Sequence, residues 1–243
     1  RADAAKDGIM TMTFGSVAPM YLMPQHWKDA YFGAFRQFPN IQFFLRYENP
    51  ADISSSLPPN VHVAKWLPQT DLLQHPKSLG LISHGGYNSV QDVIHAGVPM
   101  IATALFGDQP RNAHLIEKLG IGIYVKKTEV SEEKVVSAIR RILTEKSFKE
   151  NAKKFKSMVS TKPVSAETLL VRWTEFLAQH KKLDNLVPAG RDFNVFVYHS
   201  VDVIAFLAFI LFVVLFIIFR VIRCIIRKFC CSKCTKTEKV KKN

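Results

Sequence analysis

Residues Val203 to Phe219 form a run of seventeen uncharged, almost wholly apolar residues. A core helix seldom stays apolar on every side for about five turns and then enters a dense basic stretch. A helix rising about 1.5 Å per residue needs roughly 20 residues to cross a hydrocarbon core of about 30 Å. The run reaches that length if Arg220 snorkels and the helix continues through Val221 and Ile222, so the sequence predicts a membrane crossing over 203–222. Asp202 and the amphipathic ring of Tyr198 mark its near boundary.

Charge is divided unevenly about this segment. The chain carries a formal net charge of +13, of which nine Lys and Arg against the single acid Glu238 place +8 from Arg220 onward and leave +5 before it. That ordinary balance gives no support to nucleic-acid binding. Basic residues crowd directly after the span, and the positive-inside rule then puts 223–243 in the cytoplasm and 1–202 across the membrane, a single-pass type I arrangement. The four cysteines, Cys224, Cys230, Cys231 and Cys234, all lie in the tail, so residues 1–219 form no disulfide. Cys231-Ser-Lys-Cys234 has no second ligand pair and reads as a lipidation site or as idle rather than as a zinc centre. Lys239 and Lys241, fifth and third from the end, are similar to the dilysine retrieval signals of endoplasmic reticulum membrane proteins. The opening Arg1-Ala-Asp-Ala-Ala-Lys-Asp7 has no apolar segment that could have translocated the globular part, and the chain reads as truncated at its start.

Ahead of the span, short apolar runs alternate with helical patterns. Strands are predicted at Ile9–Phe14, Ile41–Leu45, Val61–Val63, Leu79–Ser83, Met100–Thr103 and Gly122–Val125. Helices are predicted at Trp27–Phe38, Thr70–Leu73, Ser89–Ala96, Arg111–Leu119, Ser131–Leu143, Phe148–Val159 and Ala166–Lys181, with the Ser54–Asn60 cluster a loop. This alternation implies a doubly wound, Rossmann-like parallel sheet with helices on both faces, whose ligands sit outside the carboxyl ends of the strands. The domain reading is a sheet domain over 1–165, a helix and connector over 166–202, the span over 203–222 and a basic tail over 223–243.

One junction carries chemistry. A strand ending at Ser83, then His84-Gly85-Gly86, then a helix from Asn88 or Ser89 exposes backbone N–H groups at the positive end of a helix dipole, a site suited to a diphosphate. The glycines allow close approach, and the Asn88 amide and Ser89 hydroxyl add donors.

The stretch Trp66-Leu-Pro-Gln69, Ile82-Ser-His84-Gly-Gly-Tyr-Asn88-Ser89, Gly97-Val-Pro99 and Phe106-Gly-Asp108-Gln109 spans 44 residues. It resembles the donor-binding box of the UDP-glycosyltransferases, most closely their membrane-bound glucuronosyltransferase-like branch. Phe14-Gly-Ser16, Asp71-Leu-Leu-x-His75-Pro76 and Tyr198-His-Ser-x-Asp-Val203 extend the resemblance over nearly the whole chain. It implies the C-terminal domain of a GT-B glycosyltransferase followed by one transmembrane helix, with a UDP-sugar as donor co-substrate. In that pattern Trp66 stacks on the uracil, Gln69 bonds the nucleoside, and Ser16, His84, Asn88 and Ser89 hold the phosphates with Gly86 giving access. Asp108 and Gln109 bond the sugar hydroxyls. Asp92 stands where the family usually has Glu, the partner of the ribose hydroxyls, and is one methylene shorter. Arg111 is expected to face solvent.

The resemblance further implies transfer of a glucuronosyl or glucosyl group with inversion to a small lipophilic acceptor held by a preceding N-terminal domain, which would also supply the catalytic base. No residue of this chain is assigned as catalytic, and no metal or other cofactor is expected. The family's partners would be the UDP-sugar, the acceptor, the membrane and a like or related subunit. The other reading of the same box is a non-catalytic nucleotide-sugar-binding or dimerising membrane protein.

Overall fold

The computed structural model describes residues 2–53 and 56–238, with side chains to Lys228. Ser54 and Ser55 of the expected loop, the Cys231–Cys234 side chains and the Lys239–Asn243 motif lie outside the described residues. The chain divides into two units, 1–165 and 166–243.

The first unit is built on six parallel strands: β1 Gly8–Thr13, β2 Ile41–Arg46, β3 Val61–Ala64, β4 Ser78–Ser83, β5 Met100–Ala102 and β6 Gly122–Tyr124. They lie in the order β3-β2-β1-β4-β5-β6, with Met10 opposite Phe43 on one side and Gly80 on the other, and Ile101 opposite Ile123. Between them run α1 Gln25–Arg36, α2 Gln69–Gln74, α3 Tyr87–Ala96 and α4 Gln109–Lys118, followed by α5 Glu132–Thr144 and α6 Lys146–Ser160. The expected doubly wound parallel sheet is the observed fold.

Alternating side chains of a strand point to opposite faces, and this sheet separates its core accordingly. Ile82 and Ile101 join Met12, Phe35, Phe43 and Ile139 on the face covered by α1 and α5. Their neighbours Leu81 and Met100 join Val93, Ala113, Ile116 and Ala152 on the face covered by α3, α4 and α6. All six residues of β1 are buried, as a central strand covered on both sides requires.

Local chemistry sets the helix ends. Pro24 stands immediately before α1, and the buried Asn60 amide donates to the carbonyls of Phe35 in its last turn, Phe38 just after it and Ile41 at the start of β2, tying the helix end to the next strand. Ser131 caps α5, its hydroxyl accepting the Lys134 N–H at 3.3 Å, with Glu132 and Glu133 in the first turn complementing the dipole. α3 starts at Tyr87, earlier than the Asn88 or Ser89 expected, because the turn glycines end at Gly86.

The second unit contains α7 Ala166–His180, the short α8 Val195–Tyr198 and the long α9 Val201–Glu238. One candidate membrane span occurs among the described residues, Val201–Lys228, all of it exposed. The predicted crossing 203–222 lies inside it. The helix itself continues through Glu238, since no Gly or Pro follows Ile222 to end the backbone hydrogen bonding.

Candidate functional site

A cleft of about 530 Å³ opens where the strand order reverses, between β1 and β4. At such a switch point the connections leave to opposite sides and a crevice forms between them. Ser16 follows β1, Trp66 and Gln69 follow β3, His84, Gly86, Asn88, Ser89 and Asp92 follow β4, and Asp108 and Gln109 follow β5. All ten residues singled out in the sequence line this one cleft. Arg111 is exposed and is not among the residues lining it.

At its centre the His84 ring is held between two glycines. A Cβ on Gly86 would stand 2.5 Å from its Nε2, and one on Gly15 would stand 2.8 Å from its Cε1. Gly15 also has φ of +76°, so both its backbone and its space favour glycine. Nδ1 lies 3.0 Å from the Ser83 hydroxyl. Burial holds the His84 pKa below its ordinary 6.5, while the Asp108 carboxylate and a hydrogen bond to the Thr13 backbone pull the other way. Burial thus favours the neutral ring, which carries a single N–H. Beside it, α3 presents its first backbone N–H groups from Tyr87 onward, with Asn88 exposed and Ser89 buried.

Other residues are committed to one another. The Gln69 amide donates to Asp92 Oδ2 at 2.6 Å, so the shorter acid is tethered and has one oxygen left. Gln109 is buried, and its Oε1 accepts from the N–H groups of Leu105 (2.8 Å) and Phe106 (3.1 Å). Only its amide nitrogen is left for a ligand. Asp108 accepts from Asn112 Nδ2 at 2.8 Å, and the same nitrogen donates to the Gly85 carbonyl at 3.0 Å. Asn112 thereby ties the turn after β4 to the turn after β5.

Sequence reasoning passed over Asn112 as a helix residue, and it missed Arg46. The Arg46 guanidinium lies 4.8 Å from the ring centroid of Trp66, donates to the Gly15 carbonyl at 2.7 Å and pairs with Glu48 at 3.7 Å. An arginine ending a strand at the carboxyl edge of the sheet was the available signal. Thr11 also reaches the cleft, buried, and its hydroxyl is without a hydrogen-bond partner among the described residues. Tyr31, whose phenol meets Thr103 at 2.9 Å, has its pKa raised to about 12 by burial and belongs to the core.

The fold has solved counterparts. A spinosyn forosaminyltransferase is 22% identical with a TM-score of 0.60, over 71% of this chain and 44% of that one. A glycosyltransferase of kitacinnamycin is 23% identical with a TM-score of 0.57, over 63% and 39%. These likenesses concern the α/β sheet architecture. Human UDP-glucuronosyltransferases 1A9 and 1A6 are each 40% identical over 153 residues, 63% of this chain. The matched stretch spans 29% of the length of those relatives. The family model described as "UDP-glucoronosyl and UDP-glucosyl transferase" matches residues 2–239. With the donor-box residues gathered at the switch point of the sheet and the family model running from before β1 into the far end of α9, this chain belongs to the UDP-glucoronosyl and UDP-glucosyl transferase family.

Proposed function

We propose that this chain is the donor-binding half of a UDP-sugar glycosyltransferase that moves a glucuronosyl or glucosyl group to a small lipophilic acceptor with inversion. The observation that carries the reading is the convergence of Ser16 and nine donor-box residues on one cleft at the carboxyl ends of β1, β3, β4 and β5. Trp66 takes the uracil, and the Gln69–Asp92 pair takes the ribose side of the nucleoside. Neutral His84, Ser16, Asn88, Ser89 and the N-terminus of α3 take the diphosphate, with Gly86 admitting it. Asp108 and the Gln109 amide nitrogen take the sugar hydroxyls.

Donors fixed before reaction stabilise charge that develops on a departing UDP, and no reorganisation is needed when the bond breaks. The reading uses no metal: neutral donors and a helix end meet the diphosphate. In this reading the general base and the main acceptor surface belong to a domain outside this sequence. α9 anchors the chain as a type I protein of the endoplasmic reticulum, with the sheet domain luminal, and contact with a like or related subunit belongs to the same reading.

The test is calorimetric titration of the full chain in detergent with UDP and with ADP. Saturable UDP binding, unchanged by EDTA and about ten-fold tighter than ADP binding, is expected. Absence of UDP binding by a folded sample overturns the reading.

A further inference from the structure

A second cavity, of about 370 Å³ and almost wholly apolar, lies against the donor cleft and shares its Phe14 and Ala18 walls. From it we infer that this chain itself carries a slot for a small aromatic molecule bearing an anionic group, next to the sugar end of the donor cleft. Calling that molecule an acceptor rests on the proposed function; the slot itself does not.

The buried side chains of Met20 and Trp27 line the slot, the half-buried Met23 packs beside them, and Leu22, 67% exposed, forms a lip. Thioethers beside an indole adapt to flat rings of differing outline. The volume falls within the range of about 300–1,000 Å³ usual for small-molecule sites. Its walls are formed in advance. Pro19 and Pro24 bracket the loop, the Met20 N–H is held by Glu48 Oε2 at 2.8 Å, and Lys28 Nζ holds the Tyr21 carbonyl at 2.9 Å. A loop pinned in this way loses little entropy when a ligand enters.

Position and charge name the occupant. Leu105 faces the slot and Phe106 faces the donor cleft, and Gln109 Oε1 holds the N–H groups of both, so one fixed turn separates the two cavities. A ring seated in the slot stands beside the residues assigned to the donor sugar. Among the described residues, Lys127 is the sole charged side chain lining the slot, exposed and fixed by donation to the Leu105 carbonyl at 3.2 Å. An ammonium on the rim of an apolar slot favours an aromatic ring with a carboxylate or similar group over a neutral hydrocarbon.

The test uses the full chain in nanodiscs with methyl-labelled methionine, titrated with 2-naphthoate. Saturable shifts are expected at Met20 and Met23, with Met100 in the sheet and the exposed Met158 on α6 unmoved. Leu22→Glu, on the exposed lip, should weaken the probe about ten-fold by placing a carboxylate against it and removing apolar contact. Lys127→Gln should weaken 2-naphthoate about three-fold and leave 2-naphthalenemethanol unchanged. Unmoved Met20 and Met23 overturn the inference, as do shifts that follow protein concentration in place of probe, which assign the slot to a second copy. UDP titrated in parallel separates the two readings: UDP binding without methyl shifts sinks the slot alone, and methyl shifts without UDP binding sink the donor reading alone.

Discussion

Trp66 leaves 71% of its surface exposed, yet its indole is not free, because the Arg46 guanidinium covers it at 4.8 Å. A cation over an indole contributes about 0.5–1 kcal/mol at an exposed site, enough to favour one ring orientation before a base arrives. Stacking of a base on an aromatic is worth about 1–3 kcal/mol, so Trp66→Ala should weaken UDP about five-fold or more in calorimetry. Unchanged affinity in a folded variant would remove the stacking role. His84 yields a prediction about acid. Its folded pKa lies below 6.5, so the unfolded chain takes up the proton more readily as acid is added. Its contribution to stability is full above pH 6.5 and is lost as the pH falls from there through the lower folded value. Urea midpoints should fall on acidification through that window, and His84→Asn should flatten the slope; equal slopes would show that the ring is not desolvated.

The junction of β4 with α3 joins an anion site to a packing constraint. Gly86 has φ of −59°, which any residue accepts, so Gly86→Ala introduces no backbone strain. Its new Cβ would instead meet His84 Nε2 at 2.5 Å and displace the ring. Overpacking of this kind costs about 1–3 kcal/mol. Gly86→Ala is therefore expected to fold, with a lowered melting temperature and UDP affinity reduced about ten-fold. Parental affinity would show that the imidazole position is irrelevant to binding. The same junction explains why two glycines distant in sequence, Gly15 and Gly86, belong to one arrangement: each is the near wall of the same ring.

On the scale of the whole molecule, the chain is divided in charge and in solvent. The sheet unit covers its apolar faces with helices, whereas α9 exposes the consecutive residues Phe209, Ile210, Leu211 and Phe212, which fall on all its sides. A helix apolar all round suits lipid. The type I orientation proposed above predicts that, in sealed microsomes, an epitope fused after Asn243 is removed by added protease while the sheet unit remains protected. The +8 charge from Arg220 onward resists translocation, whereas the approach from Phe193 to Ser200 carries no charge to oppose it. Protection of the epitope with digestion of the sheet unit would reverse the orientation.

Strand and helix order, the apolar span and the donor box were legible in the sequence because each is written in local terms. Period and turn residues place the six strands, seventeen apolar residues in a row mark α9, and fixed spacing carries the box. The length of α9 beyond Ile222 was not legible, since a basic stretch says where lipid ends and not where backbone hydrogen bonding stops. The switch point was implied by the fold class, but which residues meet there, and how, required the tertiary structure. Arg46 ends β2 and Trp66 follows β3, so their stacking arises only when the two strands pair. Gln69 and Asp92 lie on different helices, and their hydrogen bond at 2.6 Å decides which Asp92 oxygen is left over. The Gln109 carbonyl turns inward because two buried-edge N–H groups at Leu105 and Phe106 need an acceptor. Sequence determined which residues could contact a nucleotide sugar; packing decided which of their atoms remain available to it, because a hydrogen-bonding group already satisfied by its neighbours has no capacity to spare.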